Sequence, residues 1–86
     1  MAADQVPTVP VTISWIMSRR KFVLGVEDFR AGRGFCPDHK MVDDQWHYER
    51  GRLWAVVAPR DMPVKIRGKV NPKAIEVYRQ HLHDIP

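Results

Sequence analysis

A single cysteine, Cys36, occurs among the 86 residues, so no intramolecular disulfide can form. A chain without that staple fits a reducing compartment. Long apolar runs are missing as well. Stretches such as Phe22 to Gly25 and Trp54 to Ala58 fall far short of the ~20 residues that a membrane-spanning helix needs. No secretory signal is visible, and the expectation is a soluble, cytoplasmic protein without a membrane partner. A phosphate-cradling loop is also lacking, because Gly32-Arg33-Gly34 closes a helical pattern instead of opening one after a strand.

Patterns that would carry chemistry are equally sparse. Cys36, His39 and His47 make a Cys-x2-His followed by one more nitrogen, with His81 and His83 near the end. The paired cysteines usual in a structural zinc site are absent, and the expected state is a loop cysteine with solvent histidines. His39 lies near Cys36 in sequence, yet no third group is marked to orient a thiolate-imidazole pair. The neighbouring carboxylates Glu27-Asp28 and Asp43-Asp44 point in different directions on a helix and read as a solvated face and a helix cap. No catalytic residue, metal or cofactor is assigned, and no enzymatic activity is expected.

What the chain does contain is an ordinary globular composition, 44% hydrophobic and 28% charged, which argues against global disorder. Its length suits one small domain with one core. Residues 1 to 8 carry no periodicity and read as a flexible lead, with the domain spanning 9 to 86.

The pattern predicts an α+β fold, mainly α. A first helix runs over residues 14 to 32, capped by Ser14 or Ser18, with Trp15, Phe22, Val26 and Phe29 on one stripe. Gly25 sits beside that stripe in mid-helix, where it costs ~1 kcal/mol relative to alanine, and close approach of another backbone explains it. A loop over 34 to 41 leads to a second helix at 43 to 58, capped by Asp43 or Asp44 and closed by Pro59. The two form an antiparallel hairpin. On the second helix, Val42, Trp46, Leu53 and Val57 form one stripe while Tyr48, Gly51 and Ala55 lie opposite. That makes it a sandwiched scaffold, with Trp46 and Leu53 buried and Leu53→Ala costing ~2 to 5 kcal/mol. Glu49 is expected to pair with an arginine.

Residues 64 to 70 alternate cleanly, with Val64, Ile66 and Val70 on one side and Lys65, Arg67 and Lys69 on the other. This predicts a strand with a basic face, paired with residues 9 to 13, across a dimer, or left as an extended arm. Asn71 as N-cap and Pro72 at the first helical position open a third helix over 72 to 83, whose stripe of Ile75, Tyr78 and Leu82 suits the Tyr48 face.

Fourteen Lys and Arg against ten Asp and Glu leave a net charge of +4, compatible with a polyanionic partner. The cations cluster as Arg19-Arg20-Lys21, Arg30 with Arg33, Arg50 with Arg52, and Lys65, Arg67 and Lys69. The spacing disfavours a helix-turn-helix, whose turn needs three or four residues.

Gly25, Ala31-Gly32-Arg33, Cys36-Pro37, Gln45-Trp46 and Trp54-Ala55 together resemble the ribosome modulation factor family of short helical hairpins. That resemblance implies a helix, linker, helix protein that binds ribosomal RNA and proteins without catalysis. Val26 and Phe29 depart from the pattern, and the C-terminal strand and helix have no counterpart in it. The compact form, with Tyr48-Glu49-Arg50-Gly51-Arg52, also looks like small proteins of bacteria and their phages.

The sequence reading is therefore a small basic binding protein. Lys65, Arg67, Lys69, Arg19, Arg20, Lys21 and Arg33 are the candidate contacts to RNA or a nucleoprotein complex. The alternative is a protein-binding module or inhibitor whose anchors are Tyr48, Arg50, Arg52 and Trp54.

Overall fold

A computed structural model of the chain describes residues 12–36 and 41–86. The fold is α+β and mainly α, in the order α1 (Ile13–Ser18), α2 (Arg20–Arg30), α3 (Val42–Val57), β1 (Lys65–Ile66), β2 (Lys69–Val70) and α4 (Pro72–Gln80). No helix among the described residues is long and apolar enough to cross a membrane.

The first predicted helix is two helices. Thr12, not a serine, caps α1 by accepting from the Trp15 amide at 3.0 Å. The chain breaks at Arg19, which is extended at φ −72°, ψ 141°, and resumes as α2. Geometry explains the break. Met17 and Phe22 would point about 140° apart on a straight helix, yet both are fully buried in the same core. Ser18 assists by donating its hydroxyl to the Trp15 carbonyl at 2.6 Å, a local bond that competes with helix continuation. The expected stripe splits accordingly: Phe22 and Val26 are buried, while Trp15 is 46% exposed and Phe29 36% exposed.

Helices α2 and α3 meet backbone to backbone. A Cβ placed on Gly25 would collide with the Tyr48 carbonyl, and one on Gly51 with the Phe22 carbonyl. The close approach expected at Gly25 is therefore present, and Gly51 is its counterpart.

This contact sets α2, in place of the expected C-terminal helix, on the Tyr48 and Gly51 face of α3, and it divides the opposite stripe: Trp46 and Val57 are partly buried against the core and Val42 and Leu53 are exposed. The buried side of α3 carries His47, Tyr48, Gly51, Trp54 and Ala55, whereas Val42 is 84% exposed and Leu53 36% exposed. Among the described residues nothing covers Val42, but helix α3 packs on α2 and, through Trp54, on α4. Its cap is Met41, without a side-chain bond, and Asp43 and Asp44 occupy the first turn, where they complement the helix dipole. Glu49 does pair with an arginine, its sequence neighbour Arg50, at 3.0 Å.

Residues 64 to 70 do not form one strand. They fold on themselves as an antiparallel hairpin, with Lys65 opposite Val70 and Ile66 opposite Lys69. Its two turn residues, Arg67 and Gly68, both have left-handed φ, 54° and 80°, the signature of a tight type I′ connection. Of the expected partner segment 9 to 13, Ile13 starts α1, while residues 9 to 11 lie outside the described residues, as does the expected N-terminal lead. The Asn71 amide donates to the Val64 carbonyl at 2.8 Å and closes the hairpin base.

Asn71 and Pro72 open α4 as expected, with the Asn71 side chain accepting from the Lys73 amide. The helix ends at Gln80 rather than 83, which leaves Leu82 exposed. Phe22 joins the elements, with ring centroids 6.3 Å from Trp54 and 6.2 Å from Tyr78. The Trp54 indole donates to the Ala74 carbonyl at 3.0 Å.

Candidate nucleic-acid interface

The break between α1 and α2 places three cations in succession at a chain reversal. Arg19 is extended and exposed, and Arg20 and Lys21 occupy the first turn of α2. That turn holds no acidic residue and no side-chain cap, so its free amides add partial positive charge to the three side chains. Lys65 then arrives from the hairpin, and its Nζ donates to the Ser18 carbonyl at 3.0 Å. Docking the hairpin against α1 thus joins cations that are far apart in sequence.

Two depressions flank this turn. One, about 320 Å³, is lined by Arg20, Lys21, Lys65 and Glu27 with apolar Val23 and Leu24. The other, about 450 Å³, is lined by Arg19, Arg20 and Lys21, by Trp15, Met41 and His47, and by Asp43 and Asp44. The Arg19 guanidinium lies over the Trp15 ring, 5.0 Å from its centroid, a cation–π contact at an exposed site. The His47 ring meets Trp15 edge-on at 5.3 Å and Trp46 at 5.2 Å. Burial pushes the His47 imidazole below its usual pKa; Arg19 adds to the effect, while Asp43 and Asp44 oppose it. A neutral imidazole therefore supports the aromatic platform at pH 7.

Of the residues expected to contact nucleic acid, the structure brings Arg19, Arg20, Lys21 and Lys65 together. The remaining three stand apart. Lys69 pairs opposite Ile66, so it projects from the hairpin face opposite to Lys65, and Arg67 forms the turn. Arg33 lies beyond the far end of α2 and is committed to Asp28 at 2.8 Å. The uniform basic face of a single strand is thus replaced by a cluster around the helix break.

The residues expected to anchor a protein partner are mostly internal. Tyr48 and Trp54 are fully buried. Arg50 stacks over Trp46 at 4.4 Å, pairs with Glu49 and exposes only 14% of its side chain. Arg52 donates to the Arg33 carbonyl at 3.1 Å and lies over the Phe29 ring at 5.8 Å. These side chains hold α3 against α2 and the loop that follows it.

Sequence reasoning missed Trp15 as a surface group and misplaced Asp28 and His47, both of which are buried. Asp28 lies three residues after Gly25, on the same helical face. That spacing marks it as a packing-face residue once the glycine is read as the contact point. Among the described residues no group of three His, Cys, Asp or Glu is placed to hold a metal ion; His39 lies outside them. Comparison with family models, curated proteins and solved structures finds no match for this chain.

Proposed function

We propose that this protein binds RNA, alone or within a nucleoprotein complex in the cytoplasm, through the surface built from Arg19, Arg20, Lys21 and Lys65, and that it does so without catalysis. The carrying observation is the Lys65 bond to the Ser18 carbonyl, which gathers the four cations beside an exposed tryptophan. Clustered cations release counterions from a phosphate backbone, and an aromatic ring gives a base something to stack on. Ribosomal RNA, the ligand the family resemblance implies, is the first to test. In a salt titration of RNA binding, the Arg20→Ala, Lys21→Ala, Lys65→Ala triple variant should lower the slope of log K against log salt by roughly 2 to 3, or about 0.7 to 0.9 for each phosphate that is no longer neutralised. An unchanged slope would remove this surface from the binding site.

A second reading has its own observation. The outer face of α3 exposes Val42 at 84%, Val56 at 59% and Leu53 at 36%, a stripe suited to a protein partner. Under this reading a partner co-purifies despite nuclease treatment, and Val56→Asp releases it.

A further inference from the structure

Resting on the RNA reading of this surface, we infer that the depression beside Trp15 takes one unpaired base of a single strand, stacked on Trp15 and Arg19 with its Watson–Crick edge toward Asp43 and Asp44, and that it prefers guanine. The lining of the depression combines two kinds of chemistry. Arg19, Arg20 and Lys21 come to it from the α1–α2 break and Asp43 and Asp44 from the first turn of α3, and Trp15, Met41 and His47 complete the lining. A surface that held phosphates alone would gain nothing from two carboxylates, which repel the backbone. They become useful where a base edge replaces a phosphate.

Carboxylates only accept hydrogen bonds at neutral pH. Guanine presents two adjacent donors on its Watson–Crick edge, N1–H and the N2 amino group, so it can satisfy both oxygens of one carboxylate. Adenine and cytosine offer one amino donor beside an acceptor nitrogen, and uracil offers one N–H between two carbonyls. The order expected from this edge is therefore guanine ahead of the other three.

The space and the platform agree with that ligand. At about 450 Å³ the depression falls within the range of small-ligand clefts, roughly 300 to 1,000 Å³. Trp15 keeps 46% of its surface in solvent, although a tryptophan with no external role gains by burial. Arg19 already lies over the ring at 5.0 Å, and guanidinium planes stack on bases as aromatic rings do. A base in a duplex is stacked and paired already, so the site selects unpaired RNA.

The test uses fluorescence anisotropy of short oligouridine RNAs carrying one central guanine, adenine or cytosine, beside the all-uridine strand and a blunt duplex. The guanine strand should bind about tenfold more tightly than the all-uridine strand, within the range of one bidentate base contact, and the duplex more weakly than either. Trp15→Ala should weaken every single strand about tenfold, while Trp15→Phe keeps stacking and affinity, which separates a lost platform from a damaged fold. Asp43→Asn with Asp44→Asn should erase the guanine preference but keep overall binding. Equal affinity for all four strands, or a preference that survives the double substitution, overturns the base site and leaves the electrostatic surface standing. Failure of every RNA to bind the unaltered protein removes the underlying RNA reading instead.

Discussion

Asp28 shows how much one side chain can organise. Its Oδ2 accepts from the Tyr48 hydroxyl at 2.8 Å and its Oδ1 from Arg33 at 2.8 Å. The same hydroxyl accepts from the Cys36 amide at 3.2 Å. One carboxylate thereby ties α2 to α3 and to the loop that leaves α2. The Tyr48 hydrogen bond lowers the Asp28 pKa, burial pushes it up, and the bond and charge of Arg33 lower it further, for a net shift below 3.8. Arg33 exposes 63% of its side chain, so solvent screens its share and the tyrosine is the principal partner. Because the folded pKa lies below the unfolded one, the carboxylate stabilises the fold above the usual carboxylate range, about pH 4. That stability is lost as pH falls through the folded value. Thermal melts across pH should therefore show Asp28→Asn less stable than the unaltered protein at pH 7, with the two curves converging as pH falls through the lowered folded pKa of Asp28. A difference that persists undiminished in acid would assign the effect to packing rather than charge. Neighbouring Glu27 is exposed, and nothing in the acidic pair itself tells the two apart. Only the position of Asp28 relative to Gly25 does.

Between elements, the decisive contact is made by residues without side chains. Gly25 and Gly51 let α2 and α3 touch through backbone, and a methyl group at either position meets a carbonyl that no rotamer change can move. Gly25→Ala should force the helices apart at a cost of about 3 kcal/mol or more, the upper part of the overpacking range. Urea unfolding would show this as a reduced midpoint; an unchanged midpoint would mean that the helices can slide without loss. The glycine in mid-helix was readable in the sequence because it is a poor helix former with no other use there. The orientation of α3 was not. A helical wheel weights apolar bulk and so selects Val42, Trp46, Leu53 and Val57, whereas close helix packing here is set by the smallest residue, and Gly51 lies on the other side. The break at Arg19 was hidden for a related reason: its cause is a core shared by Met17 and Phe22, and no residue near Arg19 interrupts a helix by itself. The hairpin turn was hidden by residue type, since Arg67 adopts φ 54° without the asparagine or aspartate that usually announces such a turn.

Across the whole molecule, both ends of the chain's described part converge on a single core. Ile16 and Met17 from α1, Val64 from the hairpin base, Ala74 and Tyr78 from α4, and Ile85 beyond it are all buried around Phe22 and Trp54. The same convergence builds the candidate RNA surface. The Arg19-Arg20-Lys21 run was visible because it is contiguous, but its union with Lys65 depends on where the hairpin docks, and no local pattern encodes that. A core this small leaves little reserve: domains are stable by about 5 to 15 kcal/mol, and short chains bury proportionally less surface. Trp54 is fully buried between Phe22 and α4, and Arg30 lies over its ring at 5.4 Å. Trp54→Ala should therefore cost about 3 to 5 kcal/mol, a large part of the total, and also remove the indole hydrogen bond to the Ala74 carbonyl. Leu53, one residue away but 36% exposed, should cost less than about 1 kcal/mol on truncation to alanine, below the value expected when that stripe is read as core. Urea unfolding followed by circular dichroism separates the two outcomes. Trp54→Ala should shift the midpoint strongly or abolish the folded baseline, whereas Leu53→Ala should leave the curve close to that of the unaltered protein. Equal losses for the two variants would mean that the outer face of α3 is covered in solution, and the solvent-facing assignment of that stripe would fall.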